Sequence, residues 1–167
     1  MNTEKEIPLF SRGTWESGEI VSRIGLGEIG GKGSGLWQMS HDLLAEINDE
    51  DYPDFEVTIP RMVVLTTGVF EAFMDLNDLW ELALSDVSDA RIAQAFQRAT
   101  LPPEYLGDLR DFISQVNTPL AVRSSSLMED MLNHPFAGVY STKMIPNNSA
   151  DADARFQRLN DAVRFVY

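Results

Sequence analysis

Cysteine is absent from all 167 residues. That rules out disulfide staples, a thiolate zinc site and a cysteine nucleophile, and it leaves the redox compartment open. Positive charge is scarce: 13 Lys and Arg stand against 26 Asp and Glu, a formal charge of −13. Such a balance repels a polyphosphate backbone and anionic lipid head groups, so neither nucleic acid nor a membrane surface is expected as a partner. No apolar run approaches the roughly 20 residues that span a bilayer. The opening MNTEKEIPLF mixes acids with a lysine where a secretory signal would carry its apolar stretch, and cytoplasmic residence is the expectation. Internal repeats, low-complexity tracts and clear linkers are also missing. What is present is 44% hydrophobic content in a chain of one-domain length, enough for a single core.

Of the three lysines, Lys5, Lys32 and Lys143, one sits inside a run of six glycines, GLGEIGGKGSGL at residues 25–36. A short strand is expected before it, over 19–24. Ser34 is the expected N-cap of a helix that follows, with Leu36, Trp37, Met39, Leu43, Leu44 and Ile47 at helical spacing. The acidic stretch 48–54 breaks that helix, and an extended segment 55–59 leads to a buried strand at 62–66. Apolar faces then predict helices around Val69, Phe70, Phe73 and Met74, around Leu79, Trp80, Leu82 and Ala83, and from Ser88 through Ile92, Ala95, Phe96 and Ala99. Pro102 and Pro103 open another, with Tyr105, Leu106, Leu109, Phe112, Ile113 and Val116 inward. Leu120 to Arg123 reads as a buried strand, 136–145 as a strand pair or one bent strand, and 150–167 as a helix facing inward through Phe156, Leu159, Val163 and Val166.

The glycine run admits three chemical readings. Gly25-Leu26-Gly27-Glu28-Ile29-Gly30 fits G-x-G-x-x-G, with acids from Glu46 to Asp51 at the distance of a ribose contact. That fingerprint starts its helix within the motif, whereas here further glycines precede the helical spacing. A P-loop would place its first glycine on Leu26 and its magnesium-gripping hydroxyl on Gly33, and so fails twice. A plain flexible loop with a solvated Lys32 is the third. Glycines allow close backbone approach, a helix N-terminus offers N–H groups and a partial positive end, and Lys32 adds a full charge, so phosphate is the natural guest.

A second patch lies at Ala121-Val122-Arg123-Ser124-Ser125-Ser126. An arginine at the end of a buried strand presents a planar fork to phosphate oxygens from a fixed position. The competing assignment is a structural ion pair of Arg123 with Glu129 or Asp130.

Taken in order, Gly30-Gly31-Lys32-Gly33 before a helix, Ile59-Pro60 leading to Val63-Val64-Leu65-Thr66-Thr67, Val122-Arg123-Ser124-Ser125 with Glu129-Asp130, and Phe136-Ala137-Gly138 resemble the N-terminal nucleotide-binding domain of the phosphoenolpyruvate synthase and pyruvate phosphate dikinase family. The resemblance implies an α+β fold, the first lobe of an ATP-grasp domain with a small mixed sheet flanked by helices. It implies a polar leader over 1–18 and a partial nucleotide-binding domain over 19–167 that lacks the second lobe. Lys32 and Arg123 would then hold the phosphates of ATP, Gly31, Gly33, Gly138 and Thr142 would lie close to the nucleotide, and Ser124 and Ser125 would donate secondary hydrogen bonds. In the family, ATP phosphorylates a histidine on a separate swivelling domain, and the phosphoryl group passes on to pyruvate or another acceptor. The implied partners are therefore ATP, the second lobe with its Mg2+ and adenine contacts, the phosphohistidine domain and an acceptor domain. No catalytic residue and no metal ligand is assigned to this chain, since neither His41 nor His134 has the Thr-x-His setting of the carrier. Ile-Pro-Arg-Met at 59–62 and Ser-Leu-Met at 126–128 depart from the usual Pro-Pro-Gly-Phe and Ala-Thr-Ala and mark a divergent branch. A nucleotide-sensing or interaction module that retains the fold, and a dinucleotide-binding domain, are the alternatives.

Overall fold

A computed structural model of the chain describes residues 6–16, 19–43, 46–47, 53–126 and 141–167. In chain order these form β1 (Val21–Ile24), α1 (Gly31–Gln38) running into a π-helical turn (Met39–Leu43), β2 (Met62–Leu65), α2 (Thr67–Leu76), α3 (Trp80–Ala83), α4 (Asp89–Arg98), α5 (Pro103–Gln115), β3 (Leu120–Arg123), β4 (Thr142–Ile145) and α6 (Ala152–Val166). Helices and strands are mixed as an α+β fold requires.

Among the described residues the strands are not joined into the one small mixed sheet expected from the sequence, but form two separate pairs. β1 and β2 run parallel, in register from Val21 opposite Met62 to Ile24 opposite Leu65, and α1 lies on the crossover that a parallel pair needs. β3 and β4 run antiparallel, with Leu120 opposite Ile145 and Arg123 opposite Thr142. Between the pairs the contact is made by the start of α1, not by a ladder: Gly33 is buried against the side chain of Val64 on β2, and its N–H reaches Ser125 just beyond β3.

One core is built from the predicted faces. Val69, Phe73 and Met74 of α2, Phe96 of α4, Leu109, Phe112 and Ile113 of α5, and Phe156, Leu159 and Val163 of α6 are buried together. Phe73 lies at its centre, with ring centroids 5.7 Å from Phe96 and 5.2 Å from Tyr167. Trp80 departs from its expected place. It is 42% exposed, because α3 is only one turn long and its indole N–H turns outward to donate to Asp75 Oδ1 at 2.6 Å. Arg155 departs in the other direction, buried in α6 with its guanidinium donating to Ser149 O at 2.8 Å and Ile113 O at 3.1 Å. Ile113 is in the last turn of α5, where a cation meets the negative end of the helix. Residues 6–16, read from the sequence as part of a polar leader, lie against this body. Pro8 and Phe10 bond the backbone of Arg23 at 2.9 and 2.8 Å, and Trp15 packs edge-on to Phe112 at 5.0 Å.

Tyr167 packs its ring on Phe70 and Phe73, while its hydroxyl is buried without a hydrogen-bond partner. Burial, with Tyr105 nearby, raises the phenol above its ordinary value of 10.0. The unfolded chain therefore loses this proton first, and the native state weakens as pH rises above about 10, by at most ~1.4 kcal/mol per pH unit from this one group. In Tyr167→Phe, urea midpoints measured from pH 8 to 11 should show that share of the decline removed. Below pH 10 stability should be equal or slightly higher, since an unpartnered buried hydroxyl is lost.

Candidate functional site

The glycine run is held on two sides. On the first, the Thr66 hydroxyl donates to Leu26 O at 2.8 Å and Ile24 O at 3.3 Å. Thr67 closes a two-way link with Glu28: the Thr67 N–H donates to Glu28 O at 2.9 Å, and the Glu28 N–H donates to the Thr67 hydroxyl at 3.1 Å. Residues 25–28 are thus pinned to the exit of β2. No site role was read for Thr66 or Thr67 in the sequence; the signal was present as two hydroxyl residues placed directly after the strand Met62–Leu65.

On the second side, residues 30–33 dock onto the segment that leaves β3. The Gly31 N–H donates to Ser126 O at 3.3 Å, and the Gly33 N–H donates to the Ser125 hydroxyl at 3.2 Å. These bonds explain why the helix starts earlier than its expected cap. Gly30, not Ser34, is the N-cap; glycine has no side chain to cap with, and the serine segment takes the Gly31 and Gly33 N–H groups in its place. Gly31 and Gly33 consequently spend their N–H groups on the protein, while the Ser125 hydroxyl accepts from Gly33 and keeps its own O–H as a donor.

Lys32 is half-buried between those two docked glycines. Arg123 ends β3 two residues before Ser125; it is exposed and has no side-chain partner among the described residues. Thr142 lies directly across the ladder from Arg123 and is also exposed, on the face shared with Ala121 and Met144. The opposite face packs on α6, where the Lys143 ammonium sits 4.8 Å from the centre of the Phe165 ring and so belongs to a different surface. Ser124 is half-buried, and its hydroxyl is buried without a partner. Gly31 and Gly33 thus meet Ser126 and Ser125 at a junction where the α1 start reaches the β3 exit; Lys32, Arg123 and Ser124 are their neighbours in the chain, and Thr142 pairs with Arg123 across the ladder. Gly138, the rival ion-pair partners Glu129 and Asp130, and His134 lie outside the described residues, as do the acidic residues 48–52 and the first part of the segment read as a strand over 136–140. His41 stacks on Trp37 at 3.9 Å between ring centroids, with Nδ1 3.0 Å from the Ser40 hydroxyl and 3.2 Å from Trp37 O. These local bonds belong to the π-helical turn. Among the described residues no three His, Asp or Glu side chains gather in a way that suits a metal ion.

A family model described as pyruvate phosphate dikinase, AMP/ATP-binding domain matches residues 26–165, more than half of the chain. The chain belongs to that family. The match runs from the glycine run into α6, so both halves of the junction fall within it, and it implies ATP binding in a protein of kinase-type lineage. A search of curated proteins and a search of solved structures found no match. Lys32 and Arg123 both lie within the residues matched by the pyruvate phosphate dikinase AMP/ATP-binding family. Among its described residues no helix is long and apolar enough to cross a membrane.

Proposed function

We propose that the chain is the first lobe of an ATP-grasp nucleotide-binding module in a phosphotransferase of the phosphoenolpyruvate synthase type. The observation that carries this reading is the docking of residues 30–33 onto Ser125 and Ser126, which joins the backbone bearing Lys32 to the strand bearing Arg123. In a chain of net charge −13, two cations beside one junction are the groups suited to an anionic triphosphate.

Lys32 holds a phosphate as a point charge, and Arg123 grips another through its planar fork. Gly31 and Gly33 keep the turn narrow enough to dock, Ser124 serves as a secondary hydrogen-bond donor, Thr142 lies on the nucleotide side of the strand pair, and Gly138, outside the described residues, is assigned to the nucleotide by the family resemblance. Residues 19–167 form the partial domain. A second lobe supplies the acids for Mg2+ and the adenine contacts, and separate domains supply the carrier histidine and the acceptor site. When bound, ATP provides the phosphoryl group that the carrier histidine receives; the part of these residues is to position it and to neutralise its charge.

Calorimetric titration of the chain with ATP, AMP and NAD tests the reading. Because the phosphates are the groups held, ATP should bind at least about tenfold more tightly than AMP. Equal affinity for the two would remove the phosphate assignment. No binding at all points to an interaction module, and a preference for NAD to a dinucleotide domain.

A further inference from the structure

Gly30 is a glycine that its own backbone does not require. Its φ of −71° and ψ of 164° are open to any residue. What forbids a side chain is a neighbour: a Cβ at this position would lie 1.7 Å from Ser125 O and 2.1 Å from its carbonyl carbon. The Cα of Gly30 is thus seated on a peptide from a segment 95 positions further along the chain, and both N–H groups next to Lys32 close onto the same segment, Gly31 on Ser126 O and Gly33 on the Ser125 hydroxyl. Three contacts within four residues tie the lysine-bearing turn to the arginine-bearing strand. They use up donors that a helix N-terminus would otherwise present to an anion.

We infer that Gly30 and Ser125 form a clasp that sets the spacing of Lys32 and Arg123, so that both are positioning residues for the phosphate chain, an inference that rests on the function proposed above. The clasp makes no contact with nucleotide itself. It is assembled before the ligand arrives, and it determines which polyphosphate length the two cations can span. Ser125 acts in the clasp as a support for Gly33, through the hydroxyl oxygen that accepts the Gly33 N–H. Loosening the clasp lowers the affinity contributed by the phosphates while leaving what the nucleoside contributes.

The test has two readouts on the whole chain. The first is amide hydrogen exchange of Gly31 and Gly33 by NMR without nucleotide. Both amides should be protected, Ser125→Ala should speed exchange at Gly33 by about tenfold or more, and Ser125→Thr, which keeps the hydroxyl, should restore protection. Unprotected amides in the wild type overturn the clasp. The second readout is the ratio of ATP to AMP affinity. Gly30→Ala, which drives a methyl group into the Ser125 carbonyl, should bring that ratio close to one. Ser125→Ala should lower it about three- to tenfold, and Ser125→Thr should recover it. A wild-type ratio retained in both folded variants overturns the positioning role while the proposed function stands. A wild type with no preference for ATP overturns the phosphate reading, and the positioning role with it, whatever the exchange rates show. Should Gly30→Ala fail to fold, the Ser125→Ala and Ser125→Thr pair decides alone.

Discussion

Lys32→Ala and Arg123→Ala should each weaken ATP binding by about 10- to 100-fold. A charge-assisted hydrogen bond contributes roughly 1.5–3 kcal/mol, and about 1.4 kcal/mol corresponds to one decade of affinity. The backbone offers little compensation, because the Gly31 and Gly33 N–H groups are already bonded to Ser126 and Ser125. A phosphate deprived of one cation therefore has few alternative donors on this lobe. Arg123→Lys should fall between wild type and alanine, since it keeps the charge and loses the fork. AMP, with one phosphate, should be much less affected by the second of the two substitutions. Raising the salt from 0.05 to about 0.5 M should narrow the gap between wild type and variants, as screening removes the long-range part of the attraction. Because Arg123 is exposed and has no side-chain partner among the described residues, its substitution should leave the thermal midpoint nearly unchanged. Calorimetry on the two single variants and the double variant reads all of this. Single variants that bind ATP like wild type would end the assignment of these cations to the triphosphate.

A second large effect is expected at the entry to the glycine run. Gly25 adopts φ +91°, a region that side chains rarely occupy, and an added Cβ would stand 2.5 Å from Val69 Cγ2 and 2.6 Å from the Thr66 hydroxyl oxygen. Val69 is buried in the core and Thr66 holds the loop, so neither neighbour can swing away freely. Gly25→Ala should therefore cost about 2–5 kcal/mol, combining backbone strain with overpacking. Gly13 separates the two contributions. It too has positive φ, at +75°, yet nothing lies within 4 Å of its Cβ position. Gly13→Ala should cost only about 1 kcal/mol, the strain alone. Urea denaturation of the two variants gives the comparison. Equal losses would mean that the contact with Val69 and Thr66 is not tight. In a chain whose total stability is of the ordinary order of 5–15 kcal/mol, the larger value would unfold a substantial part of the population at moderate temperature.

The boundaries of α4, α5 and β3 and the inward faces of α2, α5 and α6 could be read directly from residue spacing. Each rests on local periodicity and on caps or prolines within the element itself, such as Ser88 before α4 and Pro103 at the start of α5. The exposure of Trp80 is not legible in the sequence because a one-turn helix has too little length for a face to be defined. Ser34 looks like a cap in the sequence because the alternative, a glycine cap supported by a serine segment 95 positions away, leaves no local sign. The division into two strand pairs was hidden for the same reason: strand partners are chosen by where helices deliver them, and a four-residue strand carries no record of its neighbour.

From residue order alone came the charge balance, the absence of sulfur chemistry from cysteine, the core faces and the cations singled out, Lys32 and Arg123. These follow from side-chain chemistry and from repeats of two or 3.6 residues, which short-range geometry dictates. Only the tertiary arrangement decided that Thr66 and Thr67 hold the loop, that Ser125 and Ser126 take the N–H groups of α1, and that Gly30 is a glycine for the sake of a distant carbonyl. Those facts depend on approaches of a few ångströms between segments far apart in the chain, and such distances are set by packing, which no local pattern encodes.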